Sequence, residues 1–161
     1  MKNSLRFFLA SALMLFSLAS FTPNVDKTYY WDDYNIEITV PNDFKITKDT
    51  KNEFEMAGEG MELFMYIWNQ KAISAADIDD ATIAAAKSLK LTEVDDEGTF
   101  ENDDFAGYYV EGFKDGDRIM FAGIVDLKSR TNFFISITFD DKDEEAEKEA
   151  VKILESIGHK S

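Results

Sequence analysis

Between Phe105 and Phe139 the chain runs FAGYYVEGFKDGDRIMFAGIVDLKSRTNFFISITF, three apolar stretches separated by two polar breaks. The first break, Lys114 to Asp117, carries Asp115-Gly116, and Asp-Gly between apolar runs marks a two-residue hairpin turn. The second, Lys128 to Asn132, is a longer hairpin loop. The pattern predicts an antiparallel three-stranded meander. Upstream, Tyr34, Ile36, Ile38 and Val40 alternate with Asn35, Glu37 and Thr39, the signature of a half-buried strand, and Pro41 ends it because proline cannot donate to a ladder. Phe44 to Lys48 and Glu53 to Gly58 read as two further short strands. Gly58-Glu59-Gly60 then turns the chain into Met61 to Asn69.

That last segment is apolar on both faces, with Met61, Leu63, Met65 and Ile67 on one and Phe64, Tyr66 and Trp68 on the other. A strand without a polar face belongs inside a sheet covered on both sides. The meander divides in the same way, Ile119, Phe121 and Val125 against Met120, Ala122 and Ile124. A sheet as the middle layer is therefore expected, with helices or long loops over it. Two helices are available. Ser74, with Asp77 three residues on, opens the first in the manner of a capping box, and Ile78, Thr82, Ala85 and Leu89 recur at helical spacing. Asp143, Glu144 and Glu145 open the second, where the macrodipole favours negative charge. Its apolar stripe is Ala150, Val151, Leu154 and Ile157, with Gly158 as terminator. Leu91 to Phe100 reads as an irregular strand between the first helix and the meander. The order of elements gives an α+β class: a central antiparallel sheet flanked by two main helices, an αβα sandwich.

The N-terminus changes the picture of the chain's organisation. Lys2 and Arg6 precede an apolar run from Phe7 to Ala19 that is too short to span a bilayer, and Ser17-Leu18-Ala19 places small residues where a signal peptidase reads. Residues 1–19 are thus expected to be a signal peptide, 20–28 a short tether broken by Pro23-Asn24, 29–158 one α+β domain, and 159–161 a tail. The product is expected to be exported, periplasmic or secreted, and not inserted in a membrane after cleavage. The 161 residues contain no cysteine, which removes disulfides and a lipidated N-terminal cysteine, so stability rests on the hydrophobic core. The net charge of −15 becomes −17 when Lys2 and Arg6 leave with the leader. Such a surface repels nucleic acid and anionic lipid.

Tyr34-Asn35-Ile36-Glu37-Ile38-Thr39-Val40-Pro41 followed by Phe44 is similar to the opening strand, proline and aromatic of the PsbP-like superfamily. The meander and the closing Ile153-Leu154-Glu155-Ser156-Ile157 resemble that superfamily as well. The resemblance implies a central antiparallel sheet between helices. It implies a domain that binds partners and seldom does chemistry, and it carries over no functional residue.

The residues themselves offer little catalytic chemistry. His159, the single histidine, is expected in a frayed tail and not in a nucleophile pair. Without cysteine, a zinc site is not expected. Gly58-Glu59-Gly60 lacks the lysine and helix of a phosphate-binding loop. Three acidic clusters stand out: Asp95-Asp96-Glu97, Asp103-Asp104 with Glu101, and Asp140-Asp141 with Asp143. Calcium takes oxygen ligands of this kind, but none of the three has calcium-loop spacing, and loop solvation, with helix-start charge for the third, is the ordinary reading of them. No cofactor is expected, calcium being the one candidate ion. A two-carboxylate hydrolase acting on a small or sugar substrate is the catalytic alternative. Aromatics are the other excess, 14 Phe, 6 Tyr and 2 Trp, and most belong to a core. Tyr29, Tyr30 and Trp31, ahead of the first clear strand, and Trp68, at the end of its strand, are the candidates for a partner-binding surface. For each, packing is the competing role. The function expected from these features is an exported, non-catalytic accessory or binding domain whose partner is a protein or a small ligand.

Overall fold

A computed structural model describes residues 26–68 and 73–161; the leader expected at 1–19, and residues 20–25 of the tether, lie outside them. In chain order the strands are β1 (Lys27–Trp31), β2 (Ile36–Val40), β3 (Lys45–Asp49), β4 (Glu53–Gly58), β5 (Met61–Ile67), β6 (Thr92–Glu101), β7 (Phe105–Lys114), β8 (Asp117–Asp126), β9 (Asn132–Phe139) and β10 (Gly158–His159). The helices are α1 (Ile78–Ser88), between β5 and β6, and α2 (Glu144–Glu155), between β9 and β10. Seven strands form one antiparallel sheet in the order β3-β4-β5-β9-β8-β7-β6. The expected α+β class, with a central antiparallel sheet and two helices, is the observed one.

The meander forms as read. Asp115 (φ 56°) and Gly116 (φ 100°) both take the left-handed region at the β7–β8 turn, the double positive φ that matches the twist of the flanking strands. Across the β8–β9 loop, Asp126 Oδ1 accepts from the Lys128 and Ser129 N–H groups at 2.8 and 2.9 Å. The two helix starts differ. Asp143 caps α2, accepting from the Glu145 and Ala146 N–H groups. Ser74 Oγ instead donates to Asp77 Oδ2 (2.5 Å), a side-chain pair that brackets a one-turn 3-10 segment before α1 begins. Gly123 lets α1 approach β8 closely, since a Cβ there would stand 2.2 Å from Thr82 Oγ1.

One face of the large sheet is sealed by α2 together with a second sheet. Strands β1, β2 and β10 make this smaller sheet, in the order β1-β2-β10. Its Trp31, Ile36, Ile38 and Val40 join Ala150, Ile153, Leu154 and Ile157 in one core over Met65, Met120, Ile135 and Ile137. The Thr39 N–H donates to Ser156 Oγ (2.9 Å) and ties β2 to the end of α2.

This arrangement corrects three expected boundaries. The tether assigned to 20–28 ends earlier, because Lys27 and Thr28 already pair with Val40 and Thr39. Gly158 does not terminate α2; Ser156 caps it and Gly158 opens β10. The tail at 159–161 is not frayed. His159 pairs with Ile36, and the Lys160 N–H donates to Asn35 O at 3.0 Å, because the buried Ile157 turns the chain back onto β2.

Candidate functional site

Alternation along β5 sends Met61, Leu63 and Met65 into the sealed core and Phe64 and Tyr66 to the opposite face, with Trp68 just beyond the strand. On that opposite face α1 packs against β7 and β8. Six spacings across seven strands make a surface about 29 Å wide, and a helix covers about 10 Å of it. The expectation that helices or loops cover β5 on both sides is therefore met on one side only. Among the described residues, the outer face of β5 and its neighbours β4 and β9 is left half-exposed.

Aromatic rings line that opening. Tyr66 lies 5.4 Å from Phe64 and 5.3 Å from Phe134, ring centre to ring centre. Phe134 in turn contacts Trp68 at 4.2 Å and stacks on Phe121 at 5.1 Å. The pairing of Tyr66 with Phe134, and of Phe64 with Ser136, fixes this row by strand register. Leu89, at the end of α1, and Leu91 form one wall over Ile119 and Phe121, and Lys114, Glu53 and Ser136 mark the rim. The groove so formed has a volume of about 430 Å³, and a more polar one of about 430 Å³ continues across Phe64 and Ser136 toward Thr47 and Glu55. Burial pushes the Tyr66 phenol up to about 12, so it is a neutral hydrogen-bonding group at any ordinary pH. A larger open cleft of about 640 Å³ lies at the turn end of the sheet, where Met61, Phe113 and Phe139 are mixed with Glu62, Asp117, Asp140, Asp141 and Lys142.

None of the four aromatic candidates lines the groove; Trp68 is half-buried against Phe134. Tyr29, Tyr30 and Trp31 lie in β1, on the smaller sheet, and they are not ahead of the first strand. Trp31 is a core residue. It is 1% exposed, stacks on Phe54 and donates from Nε1 to Thr50 O at 2.9 Å. Tyr29 is half-buried, with its hydroxyl on Phe44 O. Tyr30 is exposed beneath the Lys160 ammonium. Burial of every second residue in a strand splits the run, so the three rings share no surface.

His159 sits against buried Asp126, Nε2 to Oδ2 at 3.0 Å, with its ring edge-on to Phe105. Ser129 Oγ donates to the same Asp126 oxygen at 2.6 Å. Serine and histidine thus share one carboxylate oxygen instead of bonding each other, and the trio lacks the relay of an activated nucleophile.

The acidic clusters are mostly engaged locally. Asp104 accepts from Lys128 Nζ and from the His159 N–H. Asp140 accepts from the Lys142 N–H, and Asp143 caps α2. The first cluster is different. Asp95 pairs with Arg118 at 2.8 Å, while the carboxylate of Asp96 meets those of Glu111 on β7 and Glu147 on α2. Sequence reasoning missed Glu111 and Glu147. The signal was present in Glu111, the lone charge in the apolar run Phe105 to Phe113.

No protein family and no curated protein matches this sequence. Solved structures do match the fold. The Ran-binding protein Mog1p of Saccharomyces cerevisiae is similar with a TM-score of 0.58 at 10% identity, over 85% of this chain and 96% of that one. A point mutant of Mog1 is similar with a TM-score of 0.56 at 13% identity, over 84% of this chain and 96% of that one. A Bacteroides thetaiotaomicron protein is similar with a TM-score of 0.51 at 12% identity, over 84% of this chain and 48% of that one. These likenesses establish the fold and agree with the PsbP-like architecture.

Proposed function

We propose that this chain is an exported, non-catalytic binding domain that takes an apolar segment of a protein partner into the groove between α1 and β5. The observation that carries the reading is the pair Phe64 and Tyr66, aromatic area held by strand register and left half-exposed beside the Leu89 and Leu91 wall. Tyrosine and tryptophan give large contact area at small entropic cost, which is why they anchor interfaces. The Ran-binding activity named for the yeast protein of the same fold supports a protein partner over a small molecule, as fold-level analogy. No helix of the described residues is long and apolar enough to cross a membrane, which is compatible with release after export. The net charge of −15 suits a partner with basic residues around its apolar segment.

A photo-crosslinking amino acid at position 64, introduced in intact cells, tests this. A discrete protein adduct is expected, absent when the same group replaces exposed Thr99, and lost on Tyr66→Ala in a variant that circular dichroism shows to be folded. Equal crosslinking at positions 64 and 99 would refute the groove as the docking site.

A further inference from the structure

On the face opposite the groove, under the first half of α2, the sheet carries a polar notch. Glu111 is fully buried. Its Oε1 accepts from Arg118 Nε at 2.6 Å, and its Oε2 is buried without a hydrogen-bond partner. An unsatisfied carboxylate oxygen in such a place costs the full desolvation of that atom unless something positive meets it. Arg118 is already committed, since its Nη1 also serves Asp95 at 2.8 Å and Asp141 at 3.6 Å. Asp96 on β6 and Glu147 on α2 bring two more carboxylates, and one oxygen from each of the three residues lies within 4.8 Å of the others. Three carboxylates thus share one guanidinium, and two more meet Glu111 beside it.

We propose that Asp96, Glu111 and Glu147 bind one hard divalent cation of the calcium type, clamping α2 to the β6–β7 edge of the sheet. Oxygens no more than 4.8 Å apart have a common centre within about 2.8 Å of each, close to calcium–oxygen bonds of about 2.3–2.6 Å. Asp96 and Glu147 are exposed, so water completes the six to eight oxygens that calcium takes. The ligands come from three elements far apart in sequence, which is why no calcium-loop spacing announces them. The competing arrangement is a proton shared among the three acids. Burial raises the Glu111 pKa against the pull of Arg118, with Glu147 and Asp96 raising it further. Burial first, and then Asp96, Glu111, Glu147 and Glu155, raise the pKa of the Tyr109 phenol on the same face of β7.

The test is calorimetric titration of the purified chain with calcium chloride, together with melting in calcium and in chelator. One ion per chain and a higher midpoint in calcium are expected. Glu147→Gln, on the exposed side of α2, should weaken binding by about tenfold or more without impairing folding, and Glu111→Gln should abolish it. Asp103→Asn, outside the notch, should change neither quantity. Terbium in place of calcium should emit on tyrosine excitation, and Tyr109→Phe should dim that emission while calcium affinity holds. Absence of saturable heat, or wild-type affinity in Glu147→Gln, overturns the proposal. So does a midpoint that rises on mild acidification but ignores calcium, which would assign the notch to a proton. None of these outcomes depends on the groove across the sheet.

Discussion

His159 Nε2 lies 3.0 Å from Asp126 Oδ2, tying the last strand to the loop that follows β8 across 33 residues of sequence. Asp126 is 2% exposed, so it is held where an unpaired charge would be costly. Burial works to raise its pKa; the Ser129 hydroxyl and N–H, His159 and the Lys128 N–H outweigh that and hold it below the usual value. Asp104, facing the same histidine, is also held low, first by Lys128 and then by the His159 N–H.

The sign of the pH dependence follows. A carboxylate with a lower pKa folded than unfolded adds stability above its unfolded value, about 3.9 for aspartate, and loses it as pH falls toward the folded value. Urea midpoints should therefore fall steeply below about pH 4. Asp126→Asn should lower stability at neutral pH by about 2–3 kcal/mol, since two N–H groups lose a charged acceptor, and should flatten the acid slope. An acid slope as steep as wild type would show that other carboxylates set it.

Trp31 and Tyr30 should separate cleanly. Trp31→Ala empties a core site and is expected to cost about 3–5 kcal/mol. Tyr30→Ala changes an exposed ring and should stay within about 0.5 kcal/mol. Denaturant melts of the two single variants decide it, and similar losses would mean that β1 is set on the smaller sheet with the opposite face inward.

Gly123→Ala places a methyl group 2.2 Å from Thr82 Oγ1 and 3.2 Å from Ile78 Cδ1. Thr82 is buried and its hydroxyl donates to Ile78 O at 2.7 Å, so it cannot swing away freely. A loss of about 1–3 kcal/mol is expected from overpacking. Adding Thr82→Ala to Gly123→Ala should recover part of it, which a double-mutant cycle measures as coupling between the two positions.

Gly116→Val tests the β7–β8 turn. No atom lies within 4 Å of a Cβ at Gly116, so the cost comes from the backbone alone. A β-branched residue at φ 100° should cost about 1–2 kcal/mol, read as a lower urea midpoint. An unchanged midpoint would require the turn to relax into another geometry.

The sequence by itself determined the parts of this protein that depend on neighbours along the chain. Period-two alternation placed most of the strands, including the opposed faces of β5 and β8, because side chains alternate whatever the strand pairs with. Asp115-Gly116 determined its turn through the φ values those residues tolerate, and Asp143 determined a helix start through the N–H groups it faces. Trp68 was legible as a half-exposed ring because it stands at a strand end beside polar residues.

Tertiary structure decided the rest, because each remaining feature joins residues that are distant in the chain. Alternation says that β1 and β2 are strands but not which sheet they enter. Here they leave the large sheet and, with α2, seal one of its faces, and this buries Trp31 between two exposed neighbours. A two-sided apolar strand says that both faces want cover. It does not say that one eleven-residue helix is too narrow to supply it, which is what opens the groove at Phe64 and Tyr66. Glu111 in an apolar run says that a charge is buried. Only the register of β6 against β7 and the placement of α2 bring Asp96 and Glu147 to it, since Coulomb interactions act through space and take no account of separation along the chain.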